Sequence, residues 1–126
     1  MKNKVVKIRN VVHTDDFDEY YNSLDKRSAA KYDQAILYLE TIYVLSKKFV
    51  KKLETAEPGM YEMRVSVGSN EHRTIIFAID HDNIIQAKNV ILLNGFLKKD
   101  NKEYRKQINK AINILNNLEH GTQPQS

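Results

Sequence analysis

The chain has 126 residues, near the size of one domain, with 41% hydrophobic and 29% charged residues, which excludes a disordered or fibrous protein. It has no cysteine, so disulfides and thiolate chemistry are excluded and a reducing, cytoplasmic location is expected. The formal net charge is +4; no stretch approaches the ~20 apolar residues that span a bilayer, and the start MKNKVVKIRNVVHTDD lacks the apolar run of a signal peptide.

Residues 4–12, KVVKIRNVV, are rich in β-branched side chains and predict a first strand. Thr14 followed by Asp15 and Asp16 supplies a helix N-cap with acids in the first turn, so a short helix is expected from Asp16 to about Leu24. From Asp25 the pattern is that of a longer helix. Tyr32, Ala35, Ile36, Leu39, Ile42 and Tyr43 recur at the spacing of one helical face, which predicts an end near Ser46. The stretch KKFVKKLETAEPGM then closes on a Pro-Gly pair that breaks regular structure.

In MYEMRVSV the period changes to two. Tyr61, Met63, Val65 and Val67 point one way, and Glu62, Arg64 and Ser66 the other. Gly68 to Glu71 predict a turn, His72 to Ile79 a second strand, Asp80 to Asn83 a further turn, and NVILLNGF another strand. Tyr104, Ile108, Ala111, Ile112, Leu115 and Leu118 line one face of a C-terminal helix. The order gives an α+β fold: a small, mainly antiparallel sheet of three or four strands packed by N-terminal helices and a C-terminal helix. One domain is expected over residues 1–120, with 121–126 as a disordered tail.

The positive charge is localised. Lys98, Lys99, Lys102, Arg105, Lys106 and Lys110 stand against Asp100 and Glu103, while the remaining 14 cations balance 14 acids. Such a cluster fits an anionic partner, and fits a solvated helix face as well. A second group of cations can join it. With a four-residue loop at Gly68 to Glu71, Ser66 faces Arg73, and Arg73 shares a face with Glu62 and Arg64. A three-residue loop flips Arg73 away. Ile75 and Phe77 have the parity of Arg73, so a helix must cover that end of the face and leave the turn end open. Lys98, at the end of NVILLNGF, reaches the same region if that strand pairs alongside. Guanidinium groups with a lysine at a sheet edge suit phosphate recognition; the alternative is a set of surface cations paired with Glu62 and Glu71. Tyr104 lies on the apolar stripe, where its ring can pack while its hydroxyl reaches a wet site.

Lys51-Lys52-Leu53, Gly59-Met60-Tyr61-Glu62-Met63-Arg64-Val65, His72-Arg73-Thr74-Ile75-Ile76-Phe77 and Leu92-Leu93-Asn94-Gly95-Phe96-Leu97-Lys98-Lys99 occur in that order over roughly residues 35 to 113. Together they resemble the RelE/ParE superfamily of bacterial toxins, and most closely its HigB-like, phage-derived Gp49-like branch. The resemblance implies a twisted sheet with two helices against it and a C-terminal helix. It also implies a ribosome-dependent endoribonuclease that cuts mRNA and is held inactive by a cognate antitoxin, usually a helix-turn-helix protein. Arg64 and Arg73 match the superfamily's strand arginines, Lys98 its cation after the last strand, and Tyr104 a functional tyrosine. The chain departs from the pattern in four ways. His72 replaces the usual tyrosine, Glu62 stands at a position that can be lysine, residues 80–90 are longer than the usual turn, and the usual Thr-Pro before the last helix is missing.

Metal-free RNA cleavage needs a base, an acid and cations for the phosphorane. Arg64, Arg73 and Lys98 are expected as the cations. Glu62 and Tyr104 are the candidates for proton transfer. His72 is a third candidate by its titration range, though a surface histidine near the turn is the plainer reading. Lys51, Lys52, His72, Lys99, Lys102, Arg105 and Lys106 are the expected RNA contacts. No metal site or cofactor is expected, since His13, His72, His81 and His120 lie far apart and Asp80-His81-Asp82 reads as a turn. Two other functions remain open at this point: a toxin of the same fold that inhibits DNA gyrase by binding, and a non-toxic phage-derived binding protein.

Overall fold

The computed structural model describes residues 6–54 and 57–119. Eight elements follow in order: β1 (Asn10–His13), α1 (Asp15–Asn22), α2 (Lys26–Thr41), β2 (Val50–Lys52), β3 (Met60–Val67), β4 (Asn70–Ala78), β5 (Asn89–Leu97) and α3 (Asn101–Glu119). The strands form one sheet in the order β1-β5-β4-β3-β2. The α+β class expected from the pattern holds. The sheet, however, has five strands rather than three or four, and β1 runs parallel to β5, so it is mixed. No helix among the described residues is long and apolar enough to cross a membrane.

The first strand is shorter than the expected 4–12. Residues 1–5 and the 121–126 tail lie outside the described residues. Thr14 caps α1 as its sequence predicts, its hydroxyl accepting from the Phe17 amide at 3.1 Å. The same hydroxyl donates to the Leu93 carbonyl, tying the cap to β5. Asp25 caps α2 by accepting from the Ser28 amide at 2.8 Å.

α2 stops at Thr41, short of the expected Ser46. The reason is Arg9, whose side chain is almost fully buried and donates to the Leu39, Ile42 and Tyr43 carbonyls at 2.6–3.0 Å. These are the carbonyls a helix end leaves unpaired, and a cation is favoured there. The apolar periodicity of Ile42 and Tyr43 continues past the point where this interaction turns the chain.

The sheet has a helix layer on each side. Tyr61, Met63, Val65, Val67, Ile76 and Leu92 meet Phe17, Tyr32 and Leu39 from α1 and α2. Met60, Ile75, Leu93 and Phe96 meet Ala111 and Leu115 from α3. The period-two reading of β3 therefore holds, and α3 is the helix that covers the Ile75 end of the arginine face.

The β3–β4 turn is tighter than expected. Val67 pairs with Asn70, leaving Gly68 and Ser69 as a two-residue turn, and Arg64 rather than Ser66 faces Arg73. Gly68 has φ +60, which the first central residue of a II′ hairpin turn requires. Two and four residues have the same parity, so Arg73 still shares a face with Glu62 and Arg64.

A β-bulge in β5 sets the rest of the geometry. Ile76 pairs with Leu92 but Ile75 pairs with Asn94, so one residue, Leu93, is extra. Before the bulge the odd residue Ile91 opposes Phe77 on the α3 face; after it the even residues Asn94 and Phe96 oppose Ile75 and Arg73. Asn94 accordingly donates to the Gln107 carbonyl of α3. The ladder continues as the Lys98 amide donates to the Glu71 carbonyl at 2.8 Å. Without the bulge, Lys98 would leave the strand toward α1.

Candidate functional site

Glu62 lies at the centre of a polar cluster on the α3 face, with 2% of its surface exposed. Arg64 Nε donates to Glu62 Oε2 at 2.7 Å. Arg73 Nε lies 3.4 Å from the same oxygen, close enough for an ion pair but without the alignment of a hydrogen bond. The Tyr104 hydroxyl donates to Glu62 Oε1. Lys98 Nζ stands 5.5 Å from the centre of the Tyr104 ring, within cation–π range. Arg64, Arg73 and Tyr104 thus meet at the Glu62 carboxylate, with Lys98 on the ring of Tyr104.

A second acid flanks the cluster. Arg73 Nη1 donates to Glu71 Oε1 at 3.2 Å, and Ser66 Oγ donates to the same oxygen at 2.8 Å. These bonds hold the Glu71 carboxyl below its ordinary range. The cations therefore converge, and they are also paired with Glu62 and Glu71.

Each member has a local cause. Arg64 and Arg73 are opposed on β3 and β4, an arrangement of like charges that is unfavourable alone; Glu62, two residues along β3, offsets it. Tyr104 lies in the first turns of α3, whose start is fixed by the Glu103 amide donating to Asp100 Oδ1 at 2.8 Å. Its ring meets Phe96 edge-on at 6.0 Å. Burial, and then the bond to the Glu62 carboxylate, push the Tyr104 hydroxyl well above the ordinary tyrosine value. It stays protonated near neutral pH and remains a donor.

The expected RNA contacts divide. Lys99, Lys102, Arg105 and Lys106 are exposed at the start of α3. Lys51 opposes Glu62 on the edge strand β2 and shares its face, whereas Lys52 opposes Tyr61 and belongs to the other. His72 does not belong to this surface. It is 3% exposed on the α1/α2 side, where Nδ1 bonds the Tyr20 hydroxyl at 2.6 Å and the ring meets Tyr32 edge-on. The strand's alternation places it opposite Arg73, and two helices cover it. Neither RNA contact nor proton transfer at the cluster is open to it in this arrangement. Burial depresses its proton affinity, with Asp25 and Glu71 opposing.

Two supports went unread in the sequence. Phe96 packs the Tyr104 ring, which only the bulged register reveals. Gly95 lets the Tyr20 ring lie on β5: a Cβ there would sit 2.4 Å from Tyr20 Cδ2. The motif glycine is thus explained by close approach, with Tyr20 in turn fixed by His72.

The five-stranded mixed sheet carries its cation cluster beside its last helix. The family model described as Phage derived protein Gp49-like (DUF891) matches residues 19–116, and the chain belongs to that family. The family is associated with RelE/ParE-like toxins. Among curated proteins none matches significantly, and none among solved structures.

Proposed function

We propose that this chain is the toxin of a type II toxin–antitoxin pair, of the HigB-like branch, and that it acts in the cytoplasm as a ribosome-dependent, metal-independent mRNA endoribonuclease. The observation that carries this reading is the meeting of Arg64, Arg73 and Tyr104 at Glu62, with Lys98 beside the Tyr104 ring. In the proposed reaction the substrate's 2′-oxygen attacks the adjacent phosphorus and the bond to the 5′-oxygen breaks, leaving a 2′,3′-cyclic phosphate. One proton leaves the 2′-hydroxyl and one reaches the 5′-oxygen. The phosphorane charge falls to Arg64, Arg73 and Lys98, whose fixed positions need no reorganisation during the reaction. Tyr104, held protonated, is the donor to the leaving oxygen, and Glu62 is the acceptor from the 2′-hydroxyl.

The exposed cations at the start of α3 offer a track for the RNA backbone, and an acidic antitoxin segment could cover the same surface. The cognate partner in this reading is a helix-turn-helix protein. Expressing the chain alone is the test. Translation arrest with cleaved mRNA supports the reading, a DNA-damage response points to gyrase inhibition instead, and unaffected growth points to a binding protein without toxicity.

A further inference from the structure

Glu62 is a full anion occupant of the cluster. Both carboxylate oxygens are engaged: Oε2 with Arg64 Nε and Arg73 Nε, and Oε1 with the Tyr104 hydroxyl. It is 2% exposed, so its charge is desolvated and depends on those partners. A substrate phosphate would need the same partners, since guanidinium and phenol donors are what bind its oxygens. The Arg64 side chain, 31% exposed, has no hydrogen bond at its terminal nitrogens among the described residues. That open edge is where an incoming anion can first attach. Lys51, opposite Glu62 on β2, is a further cation on this face for an entering or displaced anion to meet.

We propose that Glu62 is the site's internal counterion, seated where a substrate phosphodiester would be gripped, so that RNA and the Glu62 carboxylate compete for Arg64 and Arg73. This rests on the nuclease reading for the identity of the ligand and deepens it with a control on affinity. In the free protein the arginines are neutralised and held opposite one another. As the phosphate enters from the Arg64 edge, it takes over the guanidiniums and Glu62 gives them up. The carboxylate is then free of both guanidiniums while the substrate holds them. Glu71 is a different case. It bonds Arg73 from an exposed position, with 46% of its side chain accessible, where solvent screens the charge.

The test is binding of a 2′-O-methyl RNA oligonucleotide, which cannot be cut, to the wild type, Glu62→Gln and Glu71→Gln. The Gln variant at 62 keeps the shape and removes the charge, and its affinity should rise about tenfold or more, because a like charge a few ångströms from the phosphate is removed. Glu71→Gln should gain much less. Inorganic phosphate should also raise the melting temperature of Glu62→Gln more than that of the wild type. Equal or weaker binding by a folded Glu62→Gln protein would overturn the proposal.

A second measurement needs no variant. In the wild type, the Arg64 Nε–H resonance should shift as the oligonucleotide saturates, because its acceptor changes from the Glu62 carboxylate to the phosphate; an unchanged resonance contradicts the displacement. mRNA cleavage by the wild type reads the nuclease function separately. Tighter binding by the variant with no cleavage by the wild type supports the competition and contradicts the nuclease. Cleavage with no gain in binding does the reverse.

Discussion

At the scale of single residues, two side chains of similar chemistry have opposite surroundings. Tyr104 is half-buried with its hydroxyl on a carboxylate, and burial raises its proton affinity further. Tyr104→Phe removes the donor while keeping the ring against Phe96. mRNA cleavage by the folded variant should fall about 10²-fold or more, the usual scale for a lost acid, and the melting temperature should fall as well, since the buried Glu62 Oε1 loses its donor. A variant as active as the wild type would remove Tyr104 from the proton path. His72 gives a prediction about stability. Its folded proton affinity is depressed by burial from the ordinary 6.5, so the unfolded chain takes up its proton first as pH falls. The stability that neutral His72 contributes is complete above about pH 6.5 and declines as pH falls toward its lower folded value. Melting temperatures between pH 8 and 5 should therefore fall less in His72→Gln than in the wild type; identical slopes would contradict the burial account. The sequence gave no means of seeing this, because the position after the turn reads as exposed until two helices are laid on it.

At the scale of elements, the alternation in β3 and β4 was legible, and so was the N-cap of α1, since Thr14 acts on a neighbour three residues away. What the sequence did not reveal is set by distant partners. α2 ends early because Arg9, some thirty residues upstream, takes its last carbonyls. The same guanidinium also donates to the Ile84 and Ile85 carbonyls at 3.1 Å, pinning the segment before β5. Arg9→Met should therefore cost at least about 3 kcal/mol, several carbonyls losing a charged donor at once; denaturant unfolding measures it, and a loss under about 1 kcal/mol would contradict the strap. The edge strand β2, only three residues long, and the parallel pairing of β1 carry too little local pattern to be read. The bulge at Leu93 was equally hidden, yet it decides which face Lys98 reaches.

At the scale of the whole molecule, the sheet divides labour between its faces. One is closed by α1 and α2 around an apolar core and His72. The other is closed by α3 only over the Ile75 end, leaving the turn end polar, with the arginines at the boundary. That division follows from parity along two strands, which is why the shared face of Arg64 and Arg73 could be anticipated even with the loop length two residues out. Reading the charges as an anion site or as paired surface groups could not be decided from sequence; the structure pairs both arginines with Glu62, and Arg73 with Glu71 as well. The direct measurement is cleavage of ribosome-bound mRNA by the purified chain, wild type beside Arg64→Ala/Arg73→Ala, mapped by primer extension. The wild type should cut, and the double variant should lose roughly 10²-fold or more in rate; undiminished cutting by a folded double variant would contradict the account.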